Sequence, residues 1–129
     1  MILCSGAFDG LHAGHIRYFQ AACRKRDNHS LVVAIAPDQY ILHSKHRTPY
    51  WTQKDRALTV WALACVDRVI LQRTDSVADV IRAEHPAYFI KGEDWRDRLP
   101  DDVLSACRDS GTKVIFVEAP GRHVSEARR

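Results

Sequence analysis

Short apolar runs alternate with longer amphipathic stretches along the whole chain. The runs predict strands at residues 2–5, 31–36, 68–71, 88–91 and 113–117. In residues 31–36 and 114–117 every side chain is apolar, which is typical of parallel strands that helices cover on both faces. The pattern therefore predicts a sheet with a buried centre.

Helix signals fall between these runs. Three segments carry residues typical of helix ends: Thr52 with Asp55, Ser76 with Asp79 (both spaced as capping boxes), and Pro100 with Gly111 as the start and exit of the last helix. Apolar residues at helical spacing predict three buried stripes: Ile16, Phe19 and Cys23; Leu58, Trp61 and Cys65; and Val77, Val80 and Ile81.

The alternation of strand and helix implies right-handed β-α-β crossovers. We therefore expect a Rossmann-like α/β fold. It would be a doubly wound, five-stranded parallel sheet with helices on both faces, forming a single domain over residues 1–129. Ligands of such sheets bind beyond the carboxyl ends of the strands, where the strand order reverses. The turn after the first strand is expected at that place.

Composition narrows the class of protein and its partners. The chain has 129 residues, 46% of them hydrophobic and 27% charged, which are values of a globular domain. The net charge of +3 suits a small anionic substrate, and without a basic stripe interleaved with aromatics no nucleic-acid binding is predicted. No apolar run approaches the ~20 residues of a transmembrane helix, and no signal peptide is visible. We therefore expect a cytoplasmic protein with no membrane partner.

The four cysteines, Cys4, Cys23, Cys65 and Cys107, lie far apart and form no C-x-x-C pair. Free thiols in a reducing compartment are therefore expected in place of disulfides or a metal site. No metal ligands from protein side chains are predicted.

The candidate chemistry is concentrated in residues 5–15, SGAFDGLHAGH, at the predicted turn from the first strand to the first helix. A helix N-terminus presents free N–H groups and the positive end of the helix dipole, both of which favour a phosphate. Gly14 removes the side chain that would keep a phosphate from the backbone. His12 and His15 add donors that can follow negative charge onto a reacting phosphoryl group. We predict phosphate chemistry here, against the alternative of ordinary surface histidines beside a loop glycine.

The pattern G-x-F-D-x-x-H-x-G-H resembles the signature of the cytidylyltransferase-like nucleotidyltransferases. Further segments are similar to that family: 31–38 (LVVAIAPD), 47–57 with its RTP and DRA, 64–69 (ACVDRV) and 89–95 (FIKGEDW). The similarity runs from residue 2 to about residue 118. It is nearest to the nucleotidyltransferase domain of ADP-heptose synthase and to glycerol-3-phosphate cytidylyltransferase.

The resemblance implies transfer of a nucleoside monophosphate from a nucleoside triphosphate to a small phosphorylated sugar or alcohol. Mg²⁺ would bridge the nucleotide phosphates, and pyrophosphate would be released. Residues 62–91 are more similar to ADP-heptose synthase, which favours ATP, whereas Asp94 and Trp95 are more similar to the glycerol phosphate enzyme, which favours CTP. ATP is preferred.

Three alternatives to this activity remain open. They are cytidylyl transfer to glycerol 3-phosphate or another alcohol phosphate or phosphonate, adenylyl transfer to flavin mononucleotide, and a nucleotide-binding regulatory protein that has lost turnover. Relatives are commonly dimers, so a homodimer is expected, with Tyr18, Tyr50 or Trp51 at its interface.

The resemblance also implies the site residues. His12, His15 and Lys45 are the catalytic candidates, with Lys45 in a polar loop after the second strand that would swing over the phosphates. The nucleotide-binding candidates are Gly6, Ala7, Phe8, Gly14, Arg56, Lys91, Gly92, Asp94 and Trp95. Further phosphate contacts are expected from Arg47, Arg122 and Ser125.

Three of these assignments have a structural alternative. Residues 91–95 would form a turn at the end of a strand, anchored by Trp95. Lys45 would belong to a solvated basic loop, and Arg56 would pair with Asp55 or Asp67. Asp9 is expected to orient the turn more than to take part in chemistry. Two further aromatics, Trp51 and Trp61, are expected in the core or an interface.

The last residues, 119–129, depart from the family pattern. Relatives carry an S-T-T segment followed by a helix, whose hydroxyls bind phosphate. Here Ser125 matches the first hydroxyl, but Glu126 and Ala127 replace the threonines. Arg122 and His123 offer charge in compensation. The sequence therefore predicts a weaker phosphate end of the site.

Overall fold

The computed structural model describes residues 1–118. Within them the strands are β1 (Ile2–Gly6), β2 (Leu31–Ile35), β3 (Arg68–Leu71), β4 (Tyr88–Gly92) and β5 (Lys113–Val117). The helices are α1 (Ala13–Lys25), α2 (Asp38–Lys45), α3 (Gln53–Trp61), α4 (Ala78–Glu84) and α5 (Asp101–Ser110), with a 3₁₀ turn at Glu93–Trp95. All five predicted strands are present within one residue at each end. Two helices separate β2 from β3, so the alternation is not strict.

The five strands form one parallel sheet in the order β3-β2-β1-β4-β5. β1 lies at its centre, where Ile2 pairs with Leu31 of β2 on one side and with Tyr88 of β4 on the other. The chain passes from β1 outward to β3 and then crosses to β4. The strand order therefore reverses between β1 and β4, and the predicted doubly wound fold is confirmed.

Helices cover both faces of the sheet and create two hydrophobic cores. On one face, Cys4 of β1 packs with Phe19 of α1 and Val60 of α3. On the other, Leu3 packs with Ile81 of α4 and with residues of α5. Successive β1 side chains enter opposite cores, as the period of a strand requires.

Residues 114–117 pack on both faces as expected, Ile115 against one core and Val114 against the other, but they are less buried than the apolar run predicts. β5 is an edge strand, and within it only Val117 is buried, at 5% exposure. β2, by contrast, lies between β1 and β3 and is buried over its whole length. An apolar run identifies a strand, but its burial depends on the neighbours that the topology supplies.

Two helix predictions also need correction. Asp55 N–H donates to the Thr52 hydroxyl, so that N-cap forms. Ser76 and Asp79 form no capping box, because α4 begins only at Ala78, and the Ser76 hydroxyl accepts from the Ala78 N–H.

The buried face of α3 is not the predicted apolar stripe. Leu58 and Trp61 are 60% and 57% exposed, and Cys65 lies beyond the end of the helix. The buried residues are Arg56, Ala57 and Val60. Since Arg56 is charged, the apolar pattern selected the wrong face. The stripe at Val77, Val80 and Ile81 is buried as predicted.

All four cysteines are free thiols. Cys4 and Cys107 are buried, and Cys23 and Cys65 are partly buried. In the part of the chain that the structure describes, no helix has the length and hydropathy that a membrane span requires.

Candidate active site

The turn after β1 is built around a buried aromatic ring. Phe8 adopts a φ of 52°, which folds its ring back beneath Gly6. A Cβ on Gly6 would lie 2.8 Å from the Phe8 Cζ atom, so only glycine leaves room for this packing. The ring contacts Phe19 at 5.1 Å and the edge of His15 at 5.2 Å between centroids. Phe8 therefore supports His15 from below.

The two signature histidines cap the first helix. His12 is the N-cap residue of α1, and its Nδ1 accepts from the Gly14 N–H at 3.0 Å. In return, the His12 N–H donates to Nδ1 of His15 at 3.3 Å. This is the reciprocal geometry of a capping box, made here by imidazoles in place of the usual hydroxyl and carboxylate.

The capping box determines which ring nitrogen of each histidine donates. Because both Nδ1 atoms accept hydrogen bonds from backbone amides, each neutral ring carries its proton on Nε2. Burial lowers the pKa of His15 to about 4, and electrostatic interactions with His12 and Lys45 contribute in the same direction. His15 is therefore neutral at pH 7 and acts as a hydrogen-bond donor, not as a fixed cation.

Asp9 holds a later segment of the chain against this turn. Its carboxylate accepts from Arg47 at 2.8 Å and from the N–H groups of Tyr50 and Trp51 at 2.9 and 3.0 Å. Burial raises the pKa of Asp9, but these hydrogen bonds outweigh it, so the pKa lies below its usual value. The structural role expected for Asp9 matches these contacts.

Arg56 does not lie at the cavity, contrary to the expectation that it binds the nucleotide. Its side chain is fully buried. Its guanidinium donates to Trp51 O, Ala7 O and Ala36 O, and pairs with Asp38 at 2.7 Å. It therefore ties the ends of β1 and β2 to α2 and the start of α3, and its ion-pair partner is neither Asp55 nor Asp67.

Lys45 is the last residue of α2 and does not lie in a loop as predicted. The helix ends at His46, whose φ of 56° and ψ of 37° place it in the left-handed region. Lys45 is exposed and lies close enough to His15 to lower its pKa. Its ammonium therefore faces the same cavity as the two imidazoles.

Lys91 occupies the switch point of the sheet. Its Nζ donates to Ser5 O at 3.2 Å and lies 4.6 Å from the centre of the Trp95 ring. Burial lowers its pKa to about 8. Lys91 therefore remains largely charged at pH 7 but titrates in the mildly alkaline range. Arg98 lies on the same indole ring, 5.6 Å from its centre.

These groups surround a cavity of about 490 Å³, which we call the histidine cavity. Every predicted site residue within 1–118 lines it except Arg56. Ser5, Tyr40 and Arg98 also line it and were missed. Arg98 was detectable as a cation three positions after Trp95, whereas Tyr40 carries no sequence signal.

A second cavity of about 430 Å³, the apolar cavity, adjoins the first. The two share Ser5, Gly6, Tyr40, Lys91 and Trp95. The apolar cavity was not predicted from the sequence. Its one detectable signal was the polar pair Asp75 and Ser76 shortly after β3, at the carboxyl edge where ligands of these sheets bind.

A sequence model of the cytidylyltransferase-like family matches residues 3–119. The chain belongs to the cytidylyltransferase-like family. The family resemblance expected from the sequence is thereby confirmed, and it agrees with the expected enzyme class, a nucleotidyltransferase.

Individual relatives agree with this membership. The cytidylyltransferase-like chain is 35% identical over 121 residues to the bifunctional protein HldE of Gluconobacter oxydans, covering 92% of this chain and 24% of the relative. It is 34% identical over 129 residues to the bifunctional protein HldE of Methylobacillus flagellatus, covering 97% and 25%. The chain thus spans about a quarter of the length of these relatives.

A solved structure has the same fold. The lipopolysaccharide core biosynthesis protein from Thermoplasma volcanium superposes with a TM-score of 0.72 at 25% identity. The match covers 92% of this cytidylyltransferase-like chain and 93% of the other. The shared fold therefore extends over almost the whole of both chains.

For this cytidylyltransferase-like chain, the expectations about the C-terminal residues and the homodimer stay predictions, and two expectations about aromatic residues are wrong. Arg122 and Ser125 lie outside the described residues. The homodimer stays a prediction, although Tyr18 cannot serve its interface, because it is buried and donates to Ile90 O. Tyr50 and Trp51 are exposed at 70% and 57%. Trp61 is also exposed and is not a core residue.

Proposed function

We propose that this chain transfers a nucleoside monophosphate from a nucleoside triphosphate to a small sugar phosphate. An oxygen of the acceptor phosphate attacks the α-phosphorus. The bond from the α-phosphorus to the oxygen that bridges it to the β-phosphorus breaks, and pyrophosphate leaves with the electron pair. The observation that carries this proposal is the pair of Nε2–H donors beside the N-terminus of α1, in a cavity that also contains two lysines.

The His12 and His15 donors suit the charge that develops on the α- and β-phosphates. A neutral imidazole held by its Nδ1 needs no reorientation as the transition state forms, which is the property of a preorganised donor. The positive end of the α1 helix dipole adds to the same field. No protein nucleophile is required, since the acceptor oxygen attacks directly.

The two lysines would neutralise charge on opposite sides of the reacting phosphorus. Lys45 approaches from α2 and Lys91 from β4, and both line the histidine cavity. Both reactants are anions, so positioning them together depends on such cations. We assign Lys45 to the triphosphate and Lys91 to the boundary between nucleotide and acceptor, because Lys91 also lines the apolar cavity.

Magnesium enters this proposal with the nucleotide. Within residues 1–118 no three His, Cys, Asp or Glu side chains are grouped to hold a metal ion. Asp9, the carboxylate nearest the turn, already accepts three hydrogen bonds. The donor set therefore fits an ion carried mainly by phosphate oxygens, so we treat Mg²⁺–nucleotide as the substrate.

We assign ATP as the nucleotide and a sugar phosphate as the acceptor. The similarity of residues 62–91 to ADP-heptose synthase supports ATP, and the relatives named bifunctional protein HldE agree with that branch. The apolar cavity supplies the space for the acceptor, because it opens beside Lys91. CTP with an alcohol phosphate is the second candidate, supported by Asp94 and Trp95.

A pyrophosphate-release assay tests the proposal. ATP, CTP and GTP are each combined with Mg²⁺ and a panel of sugar 1-phosphates and 7-phosphates, glycerol 3-phosphate and flavin mononucleotide. We expect release with ATP and a sugar phosphate, slowed by about 10²–10³ in His12→Ala. It should be retained in His29→Ala, because His29 lines neither cavity. Release only with CTP would replace ATP, and nucleotide binding without release on any acceptor would favour the regulatory protein.

A further inference from the structure

The charged groups that line the apolar cavity come from different elements of the fold. Its floor consists of apolar side chains, among them Val77, Phe89, Leu99 and Val103. Lys91 stands at the boundary with the histidine cavity. Asp75 lies on the β3–α4 connection, and two strands of the sheet separate β3 from β4. Asp102 of α5 accepts from Ser76, the residue after Asp75. A ligand held here meets a cation at one end and two carboxylates at the other.

Hydrogen bonds hold Asp75 in place from across the cavity. His43 Nδ1 of α2 lies 2.6 Å from Asp75 Oδ2. Gln72 Nε2 donates to the carbonyls of Thr74 and Asp75 at 2.8 and 3.1 Å, which orders the connection itself. The carboxylate is therefore positioned by contacts on both its side chain and its backbone.

Asp102 is held in a similar way. Its Oδ2 accepts from the Ser76 hydroxyl at 2.5 Å, and its Oδ1 accepts from the Val103 N–H at 2.9 Å. Each carboxylate oxygen can accept two hydrogen bonds, so both retain capacity for a ligand hydroxyl. Positioned carboxylates of this kind suit hydroxyl donors and repel anions.

One oxygen of this pair lacks a donor. Among the described residues, Asp75 Oδ1 has almost no accessible surface and no hydrogen-bond partner, although the Asp75 side chain as a whole is 38% exposed. A buried acceptor without a partner is unfavourable, and a donor that reaches it recovers that free energy. The oxygen thus favours a ligand that brings hydroxyl hydrogens to this side of the cavity.

We propose that Asp75 and Asp102 form a carboxylate rim that selects acceptors whose end remote from the phosphate is neutral and hydroxylated. This inference rests on the proposed function, because it takes the apolar cavity as the acceptor site. The acceptor phosphate lies towards Lys91, its carbon skeleton lies on the apolar floor, and its remote hydroxyls donate to the rim. Acceptors with a carboxylate or a second phosphate at the remote end are excluded by like charge.

Matched pairs of acceptor analogues test the rim. Glucose 1-phosphate and glucuronic acid 1-phosphate differ at carbon 6 only, as do galactose 1-phosphate and galacturonic acid 1-phosphate. Their dissociation constants are measured by calorimetry on the whole chain with Mg²⁺ and α,β-methylene ATP present. We expect the neutral member of at least one pair to bind at least about tenfold more tightly than its uronic acid.

The variants separate charge from folding. Asp75→Asn and Asp102→Asn each keep the shape of the side chain. We expect each to weaken binding of the neutral sugar and to strengthen binding of the uronic acid, opposite changes that general loss of structure cannot produce. Asp109→Asn is the control, because Asp109 pairs with Arg82 on the outer surface and lines neither cavity.

Failure of the rim is distinguishable from failure of the proposed function. Equal binding of the two members of every pair, or no binding by any of them, overturns the rim. Pyrophosphate release is measured in parallel on the same preparations. Pyrophosphate release with sugar phosphates, together with equal binding of the two members of every pair, would overturn the proposed rim but support the proposed function. Absence of release with any acceptor removes the function itself.

Discussion

The imidazole rings of His12 and His15 lie stacked, with centroids 3.8 Å apart and planes inclined by 26°. This arrangement follows from the capping box, in which each residue contacts a backbone amide of the same helix turn. The residues proposed for chemistry therefore also stabilise the start of α1. The two roles can be separated by substitution.

His12→Ala should lower both stability and activity. Loss of the N-cap acceptor removes about 1 kcal/mol from the free energy of unfolding, and loss of the Nε2 donor lowers kcat by about 10²–10³. His12→Asn restores a good N-cap residue but no imidazole. Urea denaturation and pyrophosphate release should therefore show recovered stability with activity still low. Recovery of both together would assign His12 a purely structural role.

Acid should destabilise the protein through His15. Its pKa is lowered to about 4 in the folded chain, against about 6.5 when unfolded, so the unfolded state binds the proton first. The stability that its neutral form contributes is complete above pH 6.5 and is lost as the pH falls towards 4. His15→Gln keeps a side chain that can complete the capping box. Its free energy of unfolding should fall less steeply over this range.

Substrate affinity should weaken above pH 8 through Lys91. Its folded pKa of about 8 means that the ammonium loses its proton as the pH rises through that value. We expect KM for the anionic substrates to rise between pH 7 and 9.5 while kcat changes less. Lys91→Met should have a high KM that is nearly constant over the same range. A wild-type KM that stays flat would place Lys91 outside the binding site.

Arg56 should be needed for stability and not for nucleotide affinity. Arg56→Met leaves three backbone carbonyls without their donor, so the free energy of unfolding should fall by about 2–4 kcal/mol. Arg82→Met removes a surface ion pair with Asp109 and should change it by about 0–1 kcal/mol. Nucleotide dissociation constants, measured where the variant is still folded, should match those of the wild type. A selective loss of nucleotide affinity would restore the direct role.

The sheet was predictable because buried parallel strands have uninterrupted apolar sequences. The site turn was predictable because its glycines and histidines have a fixed spacing. The contacts of the histidines were not, since histidine is not among the usual N-cap residues. Arg56 was predicted at the nucleotide because a guanidinium suits phosphates and carbonyls equally, and only the fold brings Ala7 O and Ala36 O to it.

The apolar cavity could not be found from the chain alone. Its walls come from α2, the β3–α4 connection and α5, and no local pattern brings His43 to Asp75, which is 32 residues later. The exposure of Leu58 and Trp61 was also not predictable from a local pattern, because α3 turns a charged residue, Arg56, towards the sheet. Patterns identify elements, whereas the faces they present depend on contacts distant in sequence.

The ammonium group of Lys91 borders both cavities, so ligands bound in the two cavities are electrostatically coupled. An anion bound in either cavity raises the pKa of Lys91. A second anion bound in the other cavity then interacts with the same positive charge. Thermodynamic reciprocity requires that whatever effect the first occupant has on the second is returned in equal measure. This coupling should weaken as the pH rises through about 8 and the Lys91 ammonium loses its proton.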